Sequence, residues 1–157
     1  MPRSAILSGT TIVVVEDYAD TLFGITQFLT RHGAKVFPSP DAFEGLQAVR
    51  EHRPHIVLSD IRLPKRDGFE LLRDIRALHA ENGGNVPVIA MTAFGGFAIR
   101  ARTIAAGFQA HLDKPFVPKV CWRQSNLFLE ADLSFPRRCR NELGLGCAGM
   151  PKPRNCE

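Results

Sequence analysis

Four short apolar runs frame the chain, and each ends on chemistry foreign to a core. Thr11-Ile12-Val13-Val14-Val15 leads into Glu16-Asp17, Ile56-Val57-Leu58-Ser59 into Asp60, Val88-Ile89-Ala90-Met91 into Thr92, and Ala110-His111-Leu112 into Asp113-Lys114-Pro115. Runs of this length, rich in β-branched residues, have the pattern of parallel strands buried on both faces. Between them apolar residues recur at helical spacing. Leu22, Ile25, Phe28 and Leu29 predict a first helix over about Ala19 to His32, stopped at Gly33, and Lys35-Val36-Phe37 reads as a short second strand. Ser39-Pro40-Asp41 offers an N-cap hydroxyl, a proline for the first helical position and a first-turn acid. The second helix then places Phe43, Leu46 and Val49 on one face and stops before Pro54. The segment from Ile61 to Gly68 reads as a loop, and Leu71, Leu72, Ile75 and Leu78 mark a third helix broken at Asn82-Gly83-Gly84-Asn85. A fourth helix is predicted from Phe97 to Ala106, closed by Gly107, and a fifth after Pro115.

Strands alternating with helices predict a doubly wound α/β fold: a parallel sheet with right-handed crossovers and helices on both faces. In such sheets ligands bind outside the carboxyl ends of the strands. Glu16, Asp17, Asp60, Thr92 and Lys114, distant in sequence, therefore converge on one site.

The 157 residues suffice for one domain plus a tail, and 45% hydrophobic with 23% charged residues is ordinary for a globular protein. No apolar run approaches the roughly 20 residues of a membrane span, and the N-terminus lacks the apolar segment of a secretory signal, so the expected compartment is the cytoplasm. The net charge of +4 is unevenly spread. Residues 1–118 carry 13 Lys and Arg against 12 Asp and Glu, and residues 119–157 carry 7 against 4. The folded part is nearly neutral and shows no basic stripe of the kind that reads nucleic acid. Cys121, Cys139, Cys147 and Cys156 all lie in the C-terminal segment, without the paired spacing of a zinc site, and are read as reduced thiols.

Two adjacent acids on one strand end and a third carboxylate on a neighbouring strand make an oxygen-rich site for a hard divalent cation, for which Mg²⁺ fits best. Because Mg²⁺ takes few carboxylates and keeps waters and phosphate oxygens, Asp60 is left able to act as a nucleophile. Lys114 and the Thr92 hydroxyl can clamp further phosphoryl oxygens. Together these groups compose phosphoryl transfer to an aspartate.

Taken in order, Glu16-Asp17, Asp60 followed by Leu63-Pro64 and Asp67-Gly68, Thr92-Ala93, and Lys114-Pro115-Phe116 resemble the receiver domains of bacterial two-component response regulators. The resemblance covers about residues 10–118, and Asp17, Asp60, Thr92 and Lys114 stand 43, 32 and 22 residues apart. It implies a flavodoxin-like five-stranded sheet of order 2-1-3-4-5, in a receiver domain over 10–130. Residues 1–9 form an N-terminal extension and 131–157 an irregular basic tail rich in Cys and Pro. It implies that Asp60 accepts a phosphoryl group from a sensor histidine kinase or a histidine phosphotransfer protein. Asp17 and Asp60 would bind Mg²⁺ directly, Glu16 mainly through water, and the backbone carbonyl of Arg62 would complete the set. Arg62 and Phe94 take the positions that tune the lifetime of the acyl phosphate; the Arg62 side chain either shields the phosphoryl group or orients water.

In the same family Thr92 is coupled to an aromatic residue on the fifth strand, a position held here by His111, where tyrosine or phenylalanine is commoner. Phosphorylation would draw Thr92 toward the phosphate and let His111 turn inward. By itself His111 reads as a partly buried packing residue, and His32, His52, His55 and His79 as exposed residues at element ends. Output would run through protein contact on the face of the fourth helix, fifth strand and fifth helix, to a downstream protein or a second copy of the chain, with no direct contact to nucleic acid or membrane. The run Thr103–Leu112 also resembles receivers attached to hybrid histidine kinases, so a stand-alone regulator and a detached hybrid-kinase receiver both fit. A phosphatase of the haloacid dehalogenase type needs a second acid two residues after its nucleophile, where this chain has Arg62. A receiver that binds partners without phosphorylation is disfavoured by the intact acid set.

Overall fold

Each apolar run becomes a strand of one parallel sheet. A computed structural model, which describes residues 7–93 and 95–114, contains β1 (Thr11–Val15), α1 (Ala19–Arg31), β2 (Lys35–Ser39), α2 (Ala42–His52), β3 (Ile56–Asp60) and α3 (Gly68–Arg76). After a single 3-10 turn at Ala80–Asn82 come β4 (Val88–Thr92), α4 (Phe97–Ala106) and β5 (Ala110–Asp113). The strands lie in the order β2-β1-β3-β4-β5, all parallel, as the resemblance implies. None of the helices is long and apolar enough to cross a membrane among the described residues.

Because side chains alternate along a strand, each run feeds two cores. Val13 and Val15 of β1, Val57 of β3 and Val88 of β4 pack with Val49 of α2 and Leu71, Leu72 and Ile75 of α3. Ile12 and Val14, Ile56 and Leu58, Ile89 and Met91, and Leu112 face the other way, against Ile25 and Leu29 of α1. The register pairs Val15 with Ser39 and Ser59, Asp60 with Met91, and Thr92 with Asp113, so the polar strand ends finish at one edge of the sheet. Pro38, which has no N–H to give to a ladder, sits exposed on the edge strand β2, where this costs little.

Ser39 does not cap α2, because it is buried as the last residue of β2 and its carbonyl accepts from the Glu16 N–H at 3.1 Å. Asp41 caps instead, its carboxylate accepting from the Glu44 N–H at 2.8 Å, and Pro40 precedes the helix. The inward stripe of α2 is accordingly Ala42, Gly45 and Val49, which leaves Phe43 exposed. Among the histidines, His55 and His79 are exposed as expected, whereas His52 is half-buried, stacked on Phe37, and His32 is half-buried beside the Phe28 ring. The predicted fifth helix, the four cysteines, Phe94 and the tail lie outside the described residues.

α3 begins in a capping box: Asp67 accepts from the Glu70 N–H at 2.8 Å, and Glu70 accepts from the Asp67 N–H at 2.9 Å. Asp67→Ala removes one half of it and orphans a helix donor, so it is expected to lower stability by about 1 kcal/mol, read as a shifted urea midpoint with unchanged slope.

Candidate functional site

The carboxyl ends of β1, β3 and β5 bring four charged side chains together. Glu16 and Asp17 follow β1 directly, Asp60 is the last residue of β3, and Lys114 follows β5. One oxygen each of Glu16, Asp17 and Asp60 falls within 4.8 Å of the others, an all-oxygen donor set that suits a hard divalent cation. Asp17 is exposed, while Glu16 and Asp60 are buried. The Lys114 ammonium bridges the buried pair, donating to Asp60 Oδ2 at 2.7 Å and to Glu16 Oε2.

The local backbone completes the cradle. Asp60 Oδ1 accepts the Arg62 N–H at 3.1 Å, and Glu16 Oε1 accepts the Tyr18 N–H at 3.3 Å. Asp60 thus has one oxygen held by its own loop and the other by a cation. Gly68 makes this loop possible: its N–H donates to the Ile61 carbonyl at 2.9 Å, and a Cβ there would lie 2.4 Å from the Asp60 carbonyl oxygen.

Burial decides the electrostatics. It pushes the Glu16 carboxyl above the usual glutamate range, with Lys114 working in the opposite direction and the Asp60 charge adding to the rise. For Lys114, burial alone would favour the neutral amine, but hydrogen bonds and charge from Asp60 and Glu16 outweigh it and hold the ammonium above its ordinary pKa. The lysine therefore stays cationic between two acids. Breaking such a buried arrangement by removing one member leaves an uncompensated charge.

Thr92 ends β4 next to these groups, buried, with its carbonyl accepting the Lys114 N–H at 2.7 Å. The structure therefore brings Glu16, Asp17, Asp60 and Lys114 into direct reach and sets Thr92 on the adjoining strand end. The Arg62 side chain is exposed. His111 is buried more deeply than the partly buried packing residue expected: its side chain is only 1% exposed. Its ring nitrogens lie within hydrogen-bond reach of Asp113 and Thr103, Nε2 to Asp113 Oδ1 at 2.9 Å and Nδ1 to Thr103 Oγ1 at 3.2 Å. Sequence reasoning passed over Asp113 and Thr103 as its partners. The i, i+2 spacing of His111 and Asp113 on one strand, which puts both on the same face, was the available signal for the first.

The sequence profile of the response regulator receiver domain matches residues 12–122. An uncharacterized 14.6 kDa protein of Leptolyngbya boryana is 36% identical over 107 residues, covering 68% of this chain and 80% of that protein. Hybrid signal transduction histidine kinase D of Dictyostelium discoideum is 30% identical over 116 residues, 70% of this chain but only 8% of the kinase. Among solved structures, the receiver domain of the sensor histidine kinase PA1611 from Pseudomonas aeruginosa, with a magnesium ion coordinated in its active-site cleft, superposes with a TM-score of 0.71 at 32% identity. That superposition covers 78% of this chain and 99% of the other.

Proposed function

This chain belongs to the response regulator receiver domain family, and from that premise we propose that it is a phosphoacceptor switch in histidine-to-aspartate signalling, with Asp60 as the acceptor. The observation that carries the reading is the contact set in which Lys114 bridges Asp60 and Glu16 with Asp17 beside them. In the transfer, an Asp60 carboxylate oxygen attacks the phosphorus of a phosphohistidine on a sensor histidine kinase or histidine phosphotransfer protein. The P–N bond breaks, and the imidazole leaves with the bonding pair and takes up a proton.

Glu16, Asp17, Asp60 and the backbone carbonyl of Arg62 would hold Mg²⁺, with Glu16 acting mainly through water. When bound, the cation neutralises charge on the phosphoryl oxygens. The Arg62 N–H fixes one Asp60 oxygen, Lys114, held at the other, offers its charge to the phosphoryl group, and the Thr92 hydroxyl donates to a third oxygen. Arg62 and Phe94 set the lifetime of the acyl phosphate. The chain acts as a signalling phosphoacceptor that catalyses only its own modification and its reversal. Arg62 stands where a haloacid dehalogenase-type hydrolase needs its second acid.

Output runs from Thr92 and His111 to the face of α4 and β5, recognised in the cytoplasm by a downstream protein or a second copy of the chain, with no nucleic acid or membrane contact. A separate regulator and a receiver borne by a hybrid kinase both use this chemistry. Calorimetric titration with Mg²⁺ tests the metal site: Asp17→Asn is expected to weaken binding on the order of tenfold or more, by loss of a charged ligand. Unchanged affinity would remove Asp17 from the site. Phosphoryl transfer is tested with a phosphorylated histidine phosphotransfer protein, whose label should move to the chain only with Mg²⁺ and be released by hydroxylamine, as an acyl phosphate is.

A further inference from the structure

We propose that a groove between β2 and α2 is the docking site of the chain's own basic segment Pro136–Arg140. The groove, about 420 Å³, is lined by Phe37 and Pro38 of β2, by Phe43 of α2, and by the carboxylates of Asp41, Glu44 and Glu51. No Lys or Arg lines it among the described residues. Phe43 is 70% exposed, and neither Glu44 nor Glu51 has an ion-pair partner among the described residues. Their own helix cannot supply one, because the positions three and four residues away from each hold no Lys or Arg. Carboxylates beside an exposed aromatic face suit a guanidinium, which pairs with the acid and lies along the ring. The neighbouring groove beyond Phe43 also includes Arg50, which would repel the same ligand.

Spacing narrows the occupant. Glu44 and Glu51 lie seven residues apart on one helix, so about 10.5 Å separates them along its axis. A polyproline-II ligand returns to the same side every third residue, about 9.3 Å further on. Two cations three residues apart therefore meet both carboxylates. In Pro136-Arg137-Arg138-Cys139-Arg140, which lies outside the described residues, Arg137 and Arg140 have that interval, a proline precedes them, and no acid occurs between Asp132 and Glu142.

The segment can reach the groove. Lys114 follows β5 at the carboxyl edge of the sheet, and Asp41 and Phe43 stand at the same edge, where β2 ends and α2 begins. From β5 to β2 there are four strand spacings, about 19 Å. Residues 115–135 can span up to about 70 Å. The docking needs nothing bound at Asp60 and so stands apart from phosphoryl transfer.

Limited trypsin digestion of the full chain, followed site by site with mass spectrometry, tests it, since cleavage of a docked segment follows the population that has let go. Cleavage after Arg137, Arg138 and Arg140 is expected to be about tenfold faster in Glu44→Gln/Glu51→Gln than in the wild type, the worth of two exposed ion pairs and a cation–π contact together. Cleavage after Arg123 and Arg154 should be the same in both proteins. Arg137→Gln/Arg140→Gln should expose Arg138 to the same degree, and combining the two pairs of substitutions should add nothing, because both remove one contact. Thermal unfolding by circular dichroism verifies that the variants, altered only at exposed or tail positions, are folded. Equal rates at Arg138 in the wild type and both variants, or effects that add when combined, would overturn the docking. Protection that grows with protein concentration would overturn it too, by assigning the groove to the segment of a second copy. None of these readouts involves phosphoryl acceptance, so failure here and failure of the Asp60 reading are separable.

Discussion

Asp60→Asn is expected to eliminate phosphoryl acceptance outright while leaving the fold in place. The carboxamide has no anionic oxygen to attack phosphorus, and no second carboxylate replaces it: Glu16 is tied to Lys114, and Asp17 points from a different strand end. The fold survives because the asparagine oxygen can still accept one of the two bonds Asp60 makes, from the Arg62 N–H at 3.1 Å or from Lys114 at 2.7 Å. Losing one charge relieves repulsion with Glu16 and Asp17 but weakens the pairing with Lys114, so the two effects oppose and stability should change by no more than about 1 kcal/mol. Phosphate-affinity electrophoresis after incubation with a phosphodonor checks the first half and urea unfolding the second. A shifted band in the variant would place the acceptor elsewhere.

Gly68→Ala is expected to produce the largest loss of stability of any single methyl addition at the site. Its Cβ would lie 2.4 Å from the Asp60 carbonyl oxygen and 2.9 Å from the Ile61 Cα, both backbone atoms that no rotamer change can move aside. Relief requires the start of α3 to lift off the end of β3, at a cost of about 3 kcal/mol, the upper part of the usual range for overpacking. Gly24, in the middle of α1 with nothing within 4 Å of its Cβ position, is the control. There the same substitution should stabilise by about 0.5–1 kcal/mol through helix propensity. Urea midpoints of the two variants should therefore move in opposite directions. Because the displaced helix start pulls on the Asp60–Gly68 loop, whose Arg62 N–H holds Asp60 Oδ1, Gly68→Ala should also weaken Mg²⁺ binding, whereas Gly24→Ala should not.

Most of the fold was legible because strand and helix periods were cleanly separated along the chain. The four apolar runs became β1, β3, β4 and β5 with their polar ends intact, and α4 fell on the expected residues, Phe97–Ala106. The convergence of Glu16, Asp17, Asp60 and Lys114 followed from a general property of parallel sheets. What failed was local competition between adjacent candidates. Ser39 and Asp41 are both good caps, and only the register of β2 against β1, a nonlocal fact, awards the position to Asp41. Phe43 was assigned inward on apolarity, but its azimuth follows from where α2 starts, and it faces out.

The site held two further facts beyond sequence. The direct bond of Glu16 to Lys114 links residues 98 positions apart. The depth of His111 could not be read from an alternating strand, because the Thr103 and Asp113 groups that make a buried imidazole tolerable come from different elements. Polar residues inside apolar runs thus gave their position but not their partners.

The central claim is tested most directly by intact mass spectrometry of the full chain after exposure to a small-molecule phosphodonor, with Mg²⁺ or with EDTA, followed by tandem mapping of the modified peptide. The account predicts one added phosphoryl group, formed only with Mg²⁺ and located on Asp60. An unmodified chain in Mg²⁺, with folding and metal binding verified on the same sample, or a phosphoryl group on any other residue, would contradict it.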